Sequence, residues 1–362
     1  MICFAVLFSV LTVCAVGTSA KAAVLINADT GEIIYSYNCD TRLPMASTTK
    51  IMTALLLCEY GNLDKQITVT KEMVTVEGSS MGLLPDDKVT LHDLLYGMML
   101  ASGNDAANTT AYVVGGSIEH FVELMNERVK QLGLKNTHFV TPSGLDDDAH
   151  YTTAYELALI AKTALQNEDF AKAVSTKSAT LCYGNPPYNR HLTNHNRLLK
   201  TYDDVIGVKT GFTKKSGRCL VSAAQKDGKR VIAVTLHDPN DWADHRALLD
   251  YGLEKIKSVE ITPEVKNLSV NVISGEDKKA EFNIETEQFN VLNDGAIGYD
   301  VCLSDFVYAP VKKGEILGSI RFYNGDDVIK TEKITSLTDI NAEKQNKVKL
   351  FWNDFKLIFS YI

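Results

Sequence analysis

The sequence predicts a mixed α and β protein in two parts, an antiparallel sheet covered by helices and then a small all-β domain. Three observations carry this. Strand-like runs near the N-terminus and again after Asp204 flank a long helical block, so strands far apart in sequence can share one sheet under those helices. From about Ser258 the helical periodicity disappears, and short alternating runs separated by Gly, Asn and Asp turns take over. The chain has 362 residues, 45% apolar and 23% charged, long enough for about two domains with real cores.

The first twenty residues are almost wholly apolar and end in small residues, with Thr18 and Ala20 at the −3 and −1 positions of a cleavage site. Residues 1–20 therefore read as a secretory signal peptide, with an uncleaved N-terminal anchor as the rival. Either places the bulk of the chain outside the cytoplasm. Residues Ala22 to Tyr37 form two strand-like runs around Asp29-Thr30-Gly31, a hairpin signal. Helix formers run from Ser47 to Tyr60 and stop at Gly61, a second helix follows a Thr90 cap, and a third runs from Ser117 to Leu132 before Gly133. Thr153 with Glu156 three residues later reads as a capping box ahead of another helix. The runs VIGVKTGFT, RCLVSAAQ and RVIAVTL then read as neighbouring antiparallel strands, and a helix near Trp242 to Leu253 closes the first domain, residues 21–257. Residues 258–341 form the small β-rich domain, in NLSVNVI, KAEFNIET and EILGSIRFY.

Composition excludes several functions. With 45 acidic against 37 basic residues the net charge is −8, and there is no basic run, so no nucleic-acid partner is expected. Beyond the first twenty residues the cysteines are Cys39, Cys58, Cys182, Cys219 and Cys302, an odd number at irregular spacings. They suit neither a zinc site nor a disulfide framework and read as structural thiols, so no metal is expected.

Three short elements can do chemistry. Ser47-Thr48-Thr49-Lys50 opens an apolar helix, and the i to i+3 spacing puts hydroxyl and amine on one face at the positive end of the helix dipole. A desolvated Lys50 could act as a base for Ser47. Such a spacing arises about once by chance in a chain this long. Ser102-Gly103-Asn104 offers a hydroxyl and an amide in a turn between helices; Ser36-Tyr37-Asn38 matches the same pattern but lies on a strand. Lys209-Thr210-Gly211 sits within a strand, where lysine and hydroxyl could hold a substrate carboxylate and the glycine admits a close backbone approach; a given tripeptide has roughly a one in ten chance of occurring in such a chain.

Together and in this order, on a helix start, an interhelical loop and a strand, the three elements resemble those of the active-site serine penicillin-interacting fold, the β-lactamase and transpeptidase architecture. In ASTTKIMTALLLCE, PSGLDDDAHYTTAYELA and GVKTGFTKKSGRCLVSAA the sequence resembles the D-alanyl-D-alanine carboxypeptidases among the low-molecular-mass penicillin-binding proteins, over roughly Ala22 to Gly252. The segment with KKGEILG resembles that family's second domain. The resemblance implies Ser47 as nucleophile, Lys50 as its base, Ser102 and Asn104 as proton-relay and substrate-amide contacts, and Lys209 and Thr210 as ligands of the terminal carboxylate. It implies an oxyanion hole from the backbone N–H groups of Ser47 and Phe212, with Gly211 giving clearance. Some relatives place an arginine before the final domain helix to help hold the carboxylate; Asp241 stands at that place here and Arg246 a little later, so no arginine joins the expected site.

The reaction so implied is acyl transfer without metal or organic cofactor: Ser47 attacks the carbonyl between the last two D-alanines of a peptidoglycan stem peptide, D-alanine leaves, and water deacylates the enzyme. β-Lactams should form a long-lived acyl-enzyme. A serine β-lactamase would share the motifs, but no Glu-x-x-x-Asn for a deacylating water lies between Ser102 and Lys209. A β-lactam-sensing receptor ectodomain would need further spans and an output domain. Finally, residues 342–362 read as an amphipathic helix, with Val348, Phe351, Trp352, Phe355, Phe359 and Ile362 on one face and Lys349, Asn353, Lys356 and Ser360 on the other. This suits a membrane surface, and many carboxypeptidases of the resembled family end in such a helix; a terminal helix docked on the protein itself is the rival.

Overall fold

The computed structural model describes residues 16–265, 267–292 and 297–343; most of the expected signal peptide and nearly all of the expected C-terminal helix lie outside them. The chain divides into two compact units, one ending at Lys257 and the other beginning at Ser258.

In the first unit the chain runs β1 (Ala22–Asn27), β2 (Ile33–Tyr37), α1 (Lys50–Tyr60), β3 (Gln66–Thr68), α2 (Lys71–Val74), β4 (Lys88–Thr90), α3 (Leu91–Met99), α4 (Asn104–Gly115) and α5 (Ile118–Gln131). It continues through α6 (Ala154–Ala164), α7 (Glu168–Ser175), β5 (Ser178–Gly184), β6 (Pro187–Thr193), α8 (Leu198–Thr201), β7 (Val205–Thr213), β8 (Gly217–Lys226), β9 (Lys229–Leu236) and α9 (Asp241–Lys255). The N-terminal hairpin and the later strands share one antiparallel sheet, ordered β2-β1-β9-β8-β7, as the sequence predicts. Strand β1 is buried at all six positions because the sheet is covered on both faces. Val24 and Ile26 join the large helical core, whereas Leu25 and Val231 on the other face lie close to Gly252 of α9.

Strand β7 is the edge of this sheet, and the 3-10 turn Ala46–Thr49, which leads into α1, packs against it. A second sheet, β3-β4-β5-β6, interrupts the block read from sequence as helical. Strands β3 and β4 are three residues long, too short for alternation to show, and β4 meets β5 through Lys88 and Gly184, nearly a hundred residues apart.

The capping box expected at Thr153 and Glu156 is half present. Thr153 Oγ1 accepts the Glu156 amide, but the Glu156 carboxylate turns to a neighbouring loop, accepting the Lys135 and Asn136 amides at 2.8 and 2.9 Å and the Thr137 hydroxyl at 2.6 Å. Its charge does more there, where three donors would otherwise be left without an acceptor.

Strand β10 (Ile256–Ile261) carries the chain across the boundary into the second unit, which continues with β11 (Ser269–Ile273), β12 (Lys279–Glu281), β13 (Glu287–Leu292), β14 (Ile297–Leu303), β15 (Phe306–Tyr308), β16 (Ile316–Asn324) and β17 (Asp327–Thr335), paired as β10-β13, β12-β11-β15 and β14-β16-β17. Val270, Val272, Val291, Leu317 and Phe322 form its own core. Beyond β17, Ala342 bridges to Gly275 and the Glu343 amide donates to the Ser274 carbonyl.

The loop dependence of Glu156 gives a stability test. Glu156→Ala should destabilise the protein by about 3 kcal/mol in denaturant titration, and Glu156→Gln, which keeps an acceptor oxygen, by less than half of that. A loss below about 1 kcal/mol for Glu156→Ala would show that water satisfies those donors instead.

Candidate active site

The turn that carries Ser47 is held under constraint. Ala46 has φ +48°, unusual for a residue with a side chain. Its carbonyl accepts the Thr49 hydroxyl at 2.8 Å, and Thr49 Oγ1 lies 2.7 Å from His150 Nε2. Because the Val140 amide donates to His150 Nδ1 at 2.9 Å, the ring proton resides on Nε2 and points to Thr49. The donors thus run in one direction, His150 to Thr49 to Ala46. Burial keeps His150 neutral, its pKa lowered to about 4.

Two glycines let other chain segments reach this turn. A Cβ on Gly144, at φ +87°, would sit 2.0 Å from the Ala46 carbonyl oxygen. On Gly211 it would sit 3.0 to 3.1 Å from Met45 O and the amide nitrogens of Ser47 and Thr48. The clearance at Gly211 therefore serves packing of β7 on the serine turn, beyond the substrate approach expected from sequence.

Lys50, at the start of α1, is fully buried, and its Nζ donates to Ser47 Oγ at 2.9 Å, Asn104 Oδ1 at 2.7 Å and the Ser143 carbonyl at 2.7 Å. Desolvation first, and then the positive charge of Lys209, hold its pKa well below the ordinary lysine value, with Asp105 acting in the opposite sense. Lys209 on β7 is also buried; its Nζ donates to Ser102 Oγ at 3.0 Å and to the Thr210 carbonyl at 2.9 Å, and burial lowers its pKa to about 7. Lys209 thus points inward onto Ser102, and not directly into open space where a substrate carboxylate would enter.

Ser102 lies in the loop between α3 and α4 at φ +58°, and Asn104 is the first residue of α4. The Asn104 side-chain amide donates to the Glu77 carbonyl and its backbone amide to Ser79 O, which aims Oδ1 at Lys50. Next to it, Asp105 accepts from the amides of Met81, Gly82 and Leu83, each at 3.0 Å, and from the Ser80 hydroxyl. One carboxylate thus fixes the loop that brings Ser79 to the pocket rim.

Ser47, Ser79, Ser102, His195, Thr210, Gly211 and Phe212 line a pocket of about 300 Å³, together with Arg218, Asp241 and Trp242. All eight residues singled out by sequence, Ser47, Lys50, Ser102, Asn104, Lys209, Thr210, Gly211 and Phe212, thus meet in one hydrogen-bonded or pocket-lining cluster. Among them Phe212 is the most open to solvent, two-thirds exposed (66%). The sequence reading missed the Ser143 carbonyl, whose signal was the Pro142-Ser143-Gly144 turn, and Asp105, which follows Asn104 directly. It also left out Arg218, which faces Asp241.

A model of the D-alanyl-D-alanine carboxypeptidase family, peptidase S11, matches residues 10–240. The chain is 34% identical to the D-alanyl-D-alanine carboxypeptidase DacF of Bacillus subtilis (strain 168), over 89% of this chain and 86% of that protein. Among solved structures, the DD-transpeptidase of Streptomyces K15 superposes with a TM-score of 0.63 at 35% identity, covering 66% of this chain and 98% of that one. Penicillin-binding protein 5 of Haemophilus influenzae gives a TM-score of 0.67 at 26% identity over 91% of this chain and 99% of its own. A pocket-lining serine bonded to a buried lysine at a helix start, a facing serine and lysine, and a match spanning well over half of the sequence lead to one conclusion: the chain belongs to the serine-type D-alanyl-D-alanine carboxypeptidases of peptidase family S11.

Proposed function

We propose that Ser47 is the nucleophile of this carboxypeptidase and that Lys50 is its base. The observation that supports this most is the 2.9 Å contact between Lys50 Nζ and Ser47 Oγ in a site where burial favours the neutral amine. Neutral Lys50 takes the Ser47 proton as Oγ attacks the carbonyl carbon of the penultimate D-alanine. The developing oxyanion is met by the backbone N–H groups of Ser47 and Phe212. Ser102, bonded to Lys209, gives its hydroxyl proton to the amine of the leaving D-alanine and is reprotonated by the Lys50 ammonium, which returns to the neutral amine, while Asn104 orients both Lys50 and the substrate amide. Thr210 receives the terminal carboxylate beside Lys209. Water then attacks the acyl-Ser47 carbonyl and releases the shortened peptide. A β-lactam places its ring carbonyl on the same path and is retained as an acyl-enzyme.

Outside the cytoplasm such an enzyme meets its peptidoglycan substrate directly, and the apolar first twenty residues support export. The segment from Lys344 onward, with its aromatic and lysine faces, supports attachment to an anionic membrane surface.

Ser47→Ala should abolish both D-alanine release and covalent labelling by a fluorescent penicillin. Lys50→Arg, permanently charged, should be inactive at every pH up to about 10, and the double substitution should be no worse than Ser47→Ala alone. In the wild type the acylation rate should fall as pH drops through the lowered Lys50 pKa, since the base works only when unprotonated. Labelling of Ser47→Ala at the wild-type rate would overturn the assignment.

Thr210→Val should slow turnover of a peptide acid by about tenfold or more while sparing its C-terminal amide, which offers no charge-assisted bond. Equal losses on both would remove Thr210 from carboxylate recognition.

Truncation is best made after Glu343, because Ala342 and Glu343 are tied to the second unit through Gly275 and Ser274. The shortened enzyme should stay fully active, with its melting temperature within about 2 °C of wild type, yet no longer sediment with anionic vesicles. A sharp drop in melting temperature, with no vesicle binding by the full chain, would assign the helix to the fold.

A further inference from the structure

A free carboxylate entering the pocket must be compensated for the water it loses. The two lysines of the site are poorly placed to do this alone. Lys50 is enclosed by Ser47, Asn104 and Ser143, and Lys209, which does not line the pocket, has two of its three donors on Ser102 and the Thr210 carbonyl. Lys209 is also only partly protonated near neutral pH, with its pKa at about 7. Among the described residues lining the pocket, the permanently charged cation is Arg218.

The sheet puts it there. Arg218 pairs directly opposite Phe212 across β7 and β8, so its side chain leaves the sheet on the same face as Phe212 and Thr210. Asp241, at the start of α9, is buried and grips the guanidinium from behind. Arg218 Nε donates to Oδ2 at 3.0 Å, Nη2 donates to Oδ1, and the Trp242 amide donates to Oδ1 at 2.9 Å. The partners differ in exposure, since the Arg218 side chain is 41% exposed and that of Asp241 only 4%. The Nη1 edge has no partner among the described residues. The Trp242 ring, 5.7 Å from Arg218 Cζ, flanks the same space. A guanidinium used only to neutralise Asp241 would not need an open edge on the pocket that holds Ser47 and Thr210.

We propose that Arg218, aimed by Asp241, is a substrate-binding residue that offers its free edge to the C-terminal carboxylate of the peptide beside Thr210, and that Asp241 tempers this contact by competing for the guanidinium. The inference rests on the reading of this pocket as the carboxypeptidase site. It assigns to β8 a positive charge that the sequence alone had left without a source, since Asp241 occupies the place where some relatives carry an arginine.

The two partners can be told apart by the sign of their effects. Arg218→Gln should raise KM for a peptide ending in D-Ala-D-Ala by about tenfold or more, with a similar loss in the rate of acylation by benzylpenicillin and no such loss with its methyl ester. Arg218→Lys, which keeps the charge, should recover part of this. Asp241→Asn should move the other way, lowering KM or raising acylation about threefold, because the amide still accepts from Nε but no longer competes as an anion. If both substitutions slow the enzyme equally and lower its melting temperature together, the pair is structural and the inference falls. An unchanged KM in Arg218→Gln overturns it as well, provided the wild type releases D-alanine and is labelled at Ser47. A wild type that does neither overturns the reading of the pocket on which it rests.

Discussion

Two buried lysines in neighbouring positions, neither touching a carboxylate among the described residues, are the constraint around which the first unit is organised. An ammonium taken out of water without an anion is strongly disfavoured, and a second one nearby makes each worse. The protein does not relieve this with a salt bridge. It surrounds Lys50 with a hydroxyl, an amide oxygen and a carbonyl, and Lys209 with a hydroxyl and a carbonyl, all acceptors without formal charge. Such a shell leaves the protonation balance shifted toward the free amine, the form that can remove a proton from a serine. A carboxylate in contact would have favoured the charged form and disarmed the base proposed here.

Supplying those acceptors draws distant segments together. The Ser143 carbonyl comes from the loop before α6, Asn104 from the start of α4, and Ser102 from the loop preceding it. Each is oriented by backbone that cannot move freely: Gly144 lies on Ala46, Gly211 lies on the amides of the serine turn, and the His150, Thr49 and Ala46 chain fixes an alanine in left-handed geometry. Local strain of this kind persists only where surrounding packing over-determines it.

Much of this was legible in the sequence, and the reason is locality. Ser47 with Lys50, Ser102 with Asn104, and Lys209 to Gly211 are short spacings whose chemistry survives without knowledge of the fold, and the sheet strands around Val24, Lys209 and Ala233 announce themselves by apolar runs. What was hidden depends on tertiary register. Arg218 reads as an ordinary strand residue until β8 is aligned with β7. The Ser143 carbonyl belongs to the backbone and has no sequence letter. Strands β3 and β4 carry no periodicity and exist by pairing with each other and, through Lys88 and Gly184, with β5. Glu156 illustrates the opposite error, a local rule satisfied in half and then overruled by three loop donors that come from a different stretch of chain.

Asp105 ties four donors of residues 80–83 to the peptide unit next to Asn104, and this limits how the enzyme can diversify. The carboxylate that holds the rim on that side and the amide that steadies Lys50 belong to covalent neighbours, so an insertion that widened the entrance there would shift Lys50 as well. New peptide preferences would then have to evolve on the opposite lip, around the exposed Phe212, where side chains can change size while the proton-transfer apparatus stays still. The active site is in that sense hinged to one bank and free to be remodelled from the other.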